Sequence, residues 1–168
     1  MSELAFGWRT ALLLVAFLQL LSIAAALTRL LENRTSNRTL AALLVVLAGI
    51  ITPWMIGFAG FYDRWQWLSF VPVAITLAVA PLFWLYVHAL LEGRWPERGA
   101  WHLAPGLVQF AYLAACFILL PLPVKDAWLG LQAPVYNALT GLGVMIGLAA
   151  YGRASLALIT RYRTNLPQ

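Results

Sequence analysis

The chain has 168 residues, of which 62% are hydrophobic and 10% charged, with 11 Lys and Arg against 6 Asp and Glu. A soluble domain carries roughly 45–50% apolar and about 25% charged residues, and so small a globule cannot hide this much apolar side chain. The composition excludes a soluble enzyme and a disordered chain, and the lone cysteine, Cys116, excludes an internal disulfide framework.

The charges fall in clusters, and the gaps between them define the elements. Charge-free runs cover 10–28, 39–62, 65–91, 99–124 and 127–152. A helix needs about 20 apolar residues to cross a hydrocarbon core of about 30 Å, and each run is near or above that. None alternates polar with apolar as a barrel strand would; Leu40 to Leu47 is apolar throughout.

The first span is expected over 10–31. It ends near Ala24-Ala25-Ala26, which also fits a signal-peptide cleavage site. Cleavage there would leave Arg29, Arg34 and Arg38 outside, against the charge bias described below, so a retained helix is the reading. The second span is expected over 39–61, after the polar Asn33-Arg34-Thr35-Ser36-Asn37. The third covers 67–91, beyond a turn at Asp63-Arg64. The fourth covers 101–122, beyond the basic loop Glu92 to Gly99. The fifth covers 133–157, beyond a connection around Pro121-Leu122-Pro123-Val124-Lys125-Asp126. Trp8, Trp65, Trp67, Trp95, Trp101 and Trp128 fall near predicted ends, where indole sits at the headgroup boundary. Trp54 and Trp84 lie deeper.

Basic residues in short loops set orientation. Arg9, Arg64 and Lys125 mark one side; Arg29, Arg34, Arg38, Arg94, Arg98, Arg153, Arg161 and Arg163 mark the other. The expected fold is an all-α, five-span transmembrane bundle, one membrane domain over 1–168, with the N-terminus outside and the C-terminus cytoplasmic. The basic composition is explained by arginines on an anionic leaflet, so direct nucleic-acid binding is not expected.

No Asp, Glu or Lys falls inside a span. Ion-coupled transporters and intramembrane proteases need such groups near the midplane. His88 and His102 flank the third connection and approach each other across it; interfacial hydrogen bonding is favoured over metal binding. Arg153 is a candidate buried charge: it either snorkels or pairs with Glu92 or Glu97. The helix carrying it is a candidate to run on into the cytoplasm. Gly143 and Gly147 form a small-xxx-small pair, suited to internal packing or to a homodimer face. Pro53, Pro72, Pro81, Pro105 and Pro134 free backbone carbonyls in or beside spans. Gln19, Gln109, Asn137, Thr52 and Thr76 are the neutral polar side chains available to line a pocket there. No catalytic group, metal or cofactor is expected.

Two segments carry a family resemblance. Ala80-Pro81-Leu82-Phe83-Trp84-Leu85-Tyr86-Val87-His88-Ala89-Leu90-Leu91 is followed by Trp101-His102-Leu103-Ala104-Pro105. This resembles the N-terminal membrane-spanning region of AraC-type (helix-turn-helix) bacterial transcriptional regulators. The matching positions are Pro81, Leu82, Tyr86, Val87, Leu90, His102 and Pro105, with Ala80 in place of the family's glycine and His88 in place of its basic residue. Tyr151-Gly152-Arg153 through Arg161-Tyr162-Arg163 is similar to the family's fifth helix and basic exit. The resemblance implies a sensor or anchor module of the bacterial inner membrane, without the DNA-binding domain. A cytoplasmic output domain or partner protein would then act for it. The rival expectation is a small transporter or an accessory subunit of a membrane complex. A lipid-acting enzyme ranks third, for want of catalytic groups.

Overall fold

The computed structural model describes residues 6–164, and among them every regular element is helical. Six α-helices follow in chain order: α1 (Trp8–Arg29), α2 (Arg34–Phe58), the single turn α3 (Phe61–Arg64), α4 (Val79–Glu92), α5 (Ala104–Leu119) and α6 (Leu122–Thr164). Short 3₁₀ turns lie at Gln66–Leu68, Thr76–Ala78 and Gly99–Leu103. Four helical segments are long and apolar enough to cross a membrane: Trp8–Arg29, Arg34–Phe58, Gly99–Leu119 and Leu122–Thr164. The apolar helix Thr76–Glu92 is shorter.

Two expected boundaries are corrected. The segment expected to be helical from residue 67 leaves a 3₁₀ turn at Leu68 and is irregular until Thr76. Phe70 adopts a left-handed conformation with φ 67°, and Pro72 has no N–H to give to a helix. Pro81, by contrast, sits in the first turn of α4, where its missing N–H has no intrahelical partner to lose. The connection expected over Pro121–Asp126 is almost entirely helical. Only Leu120 and Pro121 turn the chain, and α6 starts at Leu122 with Pro123 at its second position, a place that suits proline. The fifth span expected over 133–157 therefore lies inside a helix of 43 residues.

Packing is ordered around α4. α1 lies on α2, α2 on α4, and α4 on α6. Leu85 of α4 is fully buried, and Ala80, Leu82, Val87 and Ala89 are nearly so. Leu43 of α2 meets Ala78 and Leu82, while Thr39 accepts a hydrogen bond from Trp95 Nε1 at 2.8 Å. The order of these contacts makes α2 and α4 antiparallel. Contacts along α6 rise with those along α4. A β-carbon on Gly143 would stand 2.8 Å from Leu77 Cδ2, one on Gly147 3.5 Å from Ala80 Cβ, and Tyr151 faces Trp84 at 5.8 Å. α4 and α6 are thus parallel, with Gly143 and Gly147 on their shared seam. At these two glycines the near neighbours are Leu77 and Ala80 of the same chain.

The irregular segment is seated on α2. Gly49 would drive a β-carbon into the Val73 carbonyl, so the two backbones touch. Gly49 lies nine residues before the end of α2 at Phe58, about 14 Å along the helix. The unwound chain therefore runs well down the apolar length of its neighbour.

Both ends of the bundle are tied by aromatic contacts. At one end the Arg9 guanidinium stacks at 5.6 Å over Phe58, and Lys125 Nζ lies 4.7 Å over the Phe117 ring, which itself meets Trp67 at 6.2 Å. The Trp95–Thr39 bond ties the loop after α4 to α2 at the opposite, arginine-rich end.

Candidate functional site

α5 and α6 are joined at Leu120-Pro121. Their backbones stand apart, and long side chains bridge the gap. Between them lies a cleft of about 560 Å³, within the range of small-molecule sites. Its walls include Leu77, Val108, Leu131, Val135 and Leu139, and its polar groups are Gln109, Tyr112, Trp128, Gln132, Tyr136 and Thr140. Val108, Leu131, Val135 and Leu139 are exposed on the outer surface, so the cleft opens sideways.

The polar groups form two linked layers. In the deeper layer Gln109 is buried and uses its whole amide. Its Oε1 accepts the Leu77 backbone N–H at 2.9 Å. Its Nε2 donates to Thr76 Oγ1 at 3.1 Å and to Tyr136 Oη at 2.9 Å. Gln109 thereby satisfies a backbone donor in the 3₁₀ turn that follows the irregular segment, and joins that turn to α5 and α6 at one point. Gly106, one turn earlier on α5, permits this approach: a β-carbon there would stand 2.7 Å from Ala78 Cβ. In the second layer Tyr112 donates to Gln132 Oε1 at 3.0 Å and accepts from Trp128 Nε1 at 3.2 Å. Tyr112 and Tyr136 stack between the layers with ring centroids 5.6 Å apart.

Gln109→Leu roughly keeps the volume and removes the bonds to Leu77, Thr76 and Tyr136. Leaving the Leu77 N–H and the Tyr136 and Thr76 hydroxyls short of a partner should cost about 2 kcal/mol, read as reversible unfolding in mixed dodecyl sulfate and detergent micelles. Asn137→Leu, at an exposed position, should change the same measurement little; equal effects would refute the central role of Gln109.

Of the residues expected to line a pocket, Gln109 and Thr76 meet here. Gln19 and Asn137 are exposed, and Thr52 returns its hydroxyl to the Ala48 carbonyl at 2.8 Å. Sequence reasoning missed Tyr112, Gln132 and Tyr136, and assigned Trp128 only to the headgroup boundary. Their signal was a four-residue spacing of polar and aromatic side chains, Trp128, Gln132, Tyr136 and Thr140, along an otherwise apolar helix face.

A second cluster gathers at the arginine-rich end. Trp84 lies between both histidines, 5.7 Å from His88 and 4.6 Å from His102 by ring centroids. His102 Nδ1 is 3.0 Å from Tyr151 Oη, and His88 Nδ1 is 3.0 Å from the Arg94 carbonyl. The two histidines do converge, but around an indole. Among the described residues no group of three or more His, Cys, Asp or Glu is placed to hold a metal ion. Pro81, Leu82 and Val87 of the resembling segment are buried in the core, Tyr86 is half-buried, and Pro105 is exposed at the start of α5.

The candidate buried charge is corrected: Arg153 and Glu92 are both exposed on the protein surface. The buried cation is Lys125, 5% exposed and stacked on Phe117. The extra helical turns at the start of α6 carry it inward toward α5. No protein-family model, no curated protein and no solved structure matches this chain.

Proposed function

We propose that the chain is a non-enzymatic sensor module of the bacterial inner membrane, which registers a membrane-soluble cue in the α5–α6 cleft and conveys it to a cytoplasmic partner. The observation that carries the reading is the continuity of α6. One unbroken helix of 43 residues, about 65 Å long, lines the cleft near its start and bears Arg153, Arg161 and Arg163 near its end. A hydrocarbon core is about 30 Å thick, so such a helix reaches well beyond it. Whatever spreads or closes the cleft acts on the same helix that carries these arginines.

In this reading the chain crosses the bilayer five times. The third crossing is made by the irregular segment and α4 together. The N-terminus faces outward, and the arginine-rich end lies in the cytoplasm. The grouping of Arg9, Trp67 and Lys125 at one end, and of Trp95 and His102 at the other, supports that assignment. The resemblance to the membrane region of AraC-type regulators points the same way, with the output supplied by a cytoplasmic domain or partner.

The test places spin labels at Arg98 and Arg161, both exposed, in a Cys116→Ala background in lipid nanodiscs. Adding an apolar solvent extract of bacterial membranes should shift the interlabel distance by ~3 Å, the scale of known helix displacements in switching proteins. A distribution unchanged by any extract fraction would overturn sensing and leave an anchor.

A further inference from the structure

We infer that the α5–α6 cleft binds an uncharged, lipophilic molecule through a carbonyl oxygen, received by Gln132 and Tyr136. This deepens, and rests on, the reading of the cleft as the sensing site. Three observations on the cleft converge.

The first is its charge. Every polar side chain that lines it is a neutral amide, hydroxyl or indole. Lys125 stands one turn above Trp128, but it is committed to the Phe117 ring. A carboxylate or ammonium buried here would find no counter-charge, and its desolvation would oppose entry.

The second is the balance of donors and acceptors. Gln109 is fully used, and Tyr112 both donates and accepts. Two groups are not fully used among the described residues. Gln132 accepts from Tyr112 through Oε1, but its amide N–H₂ has no acceptor. Tyr136 accepts from Gln109, but its own hydroxyl hydrogen has none. Both residues lie on one face of α6, four apart, and both line the cleft. What the cleft lacks is therefore an acceptor. Water would supply one at a surface; beside lipid tails it does not, and an unmet donor there is costly. A carbonyl oxygen has two lone pairs and can take a hydrogen from each residue.

The third is shape. The stacked Tyr112 and Tyr136 rings make one wall and Trp128 caps it, while the remaining walls are aliphatic. Flat or chain-like apolar bodies fit such walls, and the sideways opening admits them from the bilayer. The shared chemistry has two sources, the ester carbonyl of a neutral membrane lipid or a freely diffusing lipophilic carbonyl compound.

The test measures binding directly, without reference to any conformational change. The shift and intensity of tryptophan emission, which respond to any molecule that displaces the surroundings of the Trp128 indole, are followed in nanodiscs for wild type and for Trp128→Phe, to isolate the reporter. The probes are 1-monooleoylglycerol, 2-methyl-1,4-naphthoquinone, the matched hydrocarbon 2-methylnaphthalene, and oleate. At least one of the two neutral carbonyl probes should bind about tenfold more tightly than both the hydrocarbon and oleate. Gln132→Leu and Tyr136→Phe should each weaken that probe about fivefold and leave the hydrocarbon unchanged, with thermal midpoints of both variants checked for a folded bundle. Preference for the glyceride identifies a lipid source, and preference for the quinone a diffusing one; either supports the proposal. Equal binding of hydrocarbon and carbonyl, tighter binding of oleate, or a Gln132→Leu protein that is folded and binds as wild type would overturn it. Carbonyl binding without movement of the Arg98–Arg161 distance would leave this inference standing and remove the sensor reading.

Discussion

Gly49→Ala and Gly106→Ala should each destabilise the bundle by about 3 kcal/mol, at the upper end of what overpacking costs. The reason is what the new methyl group meets. At Gly49 it meets the Val73 carbonyl, which is backbone. At Gly106 it meets Ala78, with Cβ at 2.7 Å and the backbone Cα and N at 3.2 and 3.3 Å. Neither obstacle can rotate away, so the irregular segment must lift from α2 or from α5. Gly143 differs, although its contact is as close, because the obstacle is the far end of the Leu77 side chain. Gly141 and Gly152 have open space beside them within α6. Alanine there should be neutral or stabilising by up to about 1 kcal/mol, from helix propensity alone. Reversible unfolding in mixed micelles would rank the four variants; equal loss at Gly49 and Gly152 would contradict the seating of Val73 on α2.

The second large effect is Leu85→Ala, and its size depends on the solvent being lipid. In water-soluble proteins such a truncation costs about 2–5 kcal/mol, part from transfer out of water and part from the cavity left behind. Beside lipid tails the transfer part disappears, because the tails are as apolar as leucine. The cavity part remains, and about 2 kcal/mol is expected at a side chain with no exposed surface. Phe83 is the control, two residues away on the same helix and 47% exposed. Phe83→Ala removes more atoms but exchanges them for lipid, and should cost under about 0.5 kcal/mol. If Phe83→Ala proved the more damaging, the outward face of α4 would be packed against protein instead of lipid.

Charge spacing made the long helices legible. The gaps that end near Arg29 and begin near Arg38 correspond to α1 and α2, because a charged side chain cannot stay in hydrocarbon without a partner. Hydropathy says where chain is apolar, not whether it is coiled, so the stretch from Trp67 to Ile75 read as helix. The cues to its irregular path were local: β-branched Val71 and Val73 around Pro72. At the other connection two prolines suggested a loop, yet Pro123 stands where a helix accepts proline. The site was half legible. Thr76 and Gln109 stand out as polar residues in apolar runs. Tyr112 and Tyr136 do not, since aromatic side chains in a membrane helix usually face lipid or core. What joins them is the placement of α5 beside α6, a tertiary property that no single helix pattern encodes.

The seating of the irregular segment on α2 bears on how the protein is made. From Leu68 to Ile75 the backbone makes only bonds spanning two or three residues, such as Val71 N–H to Leu68, Val73 N–H to Val71 and Ile75 N–H to Val73. Such a strand cannot partition into lipid by itself, since its remaining polar groups would face hydrocarbon. It needs the groove at Gly49 ready to receive it and Gln109 to complete it. α2 leaves the ribosome before this segment and α5 after it. The groove at Gly49 is therefore synthesised before the stretch it receives, and the Gln109 amide after it.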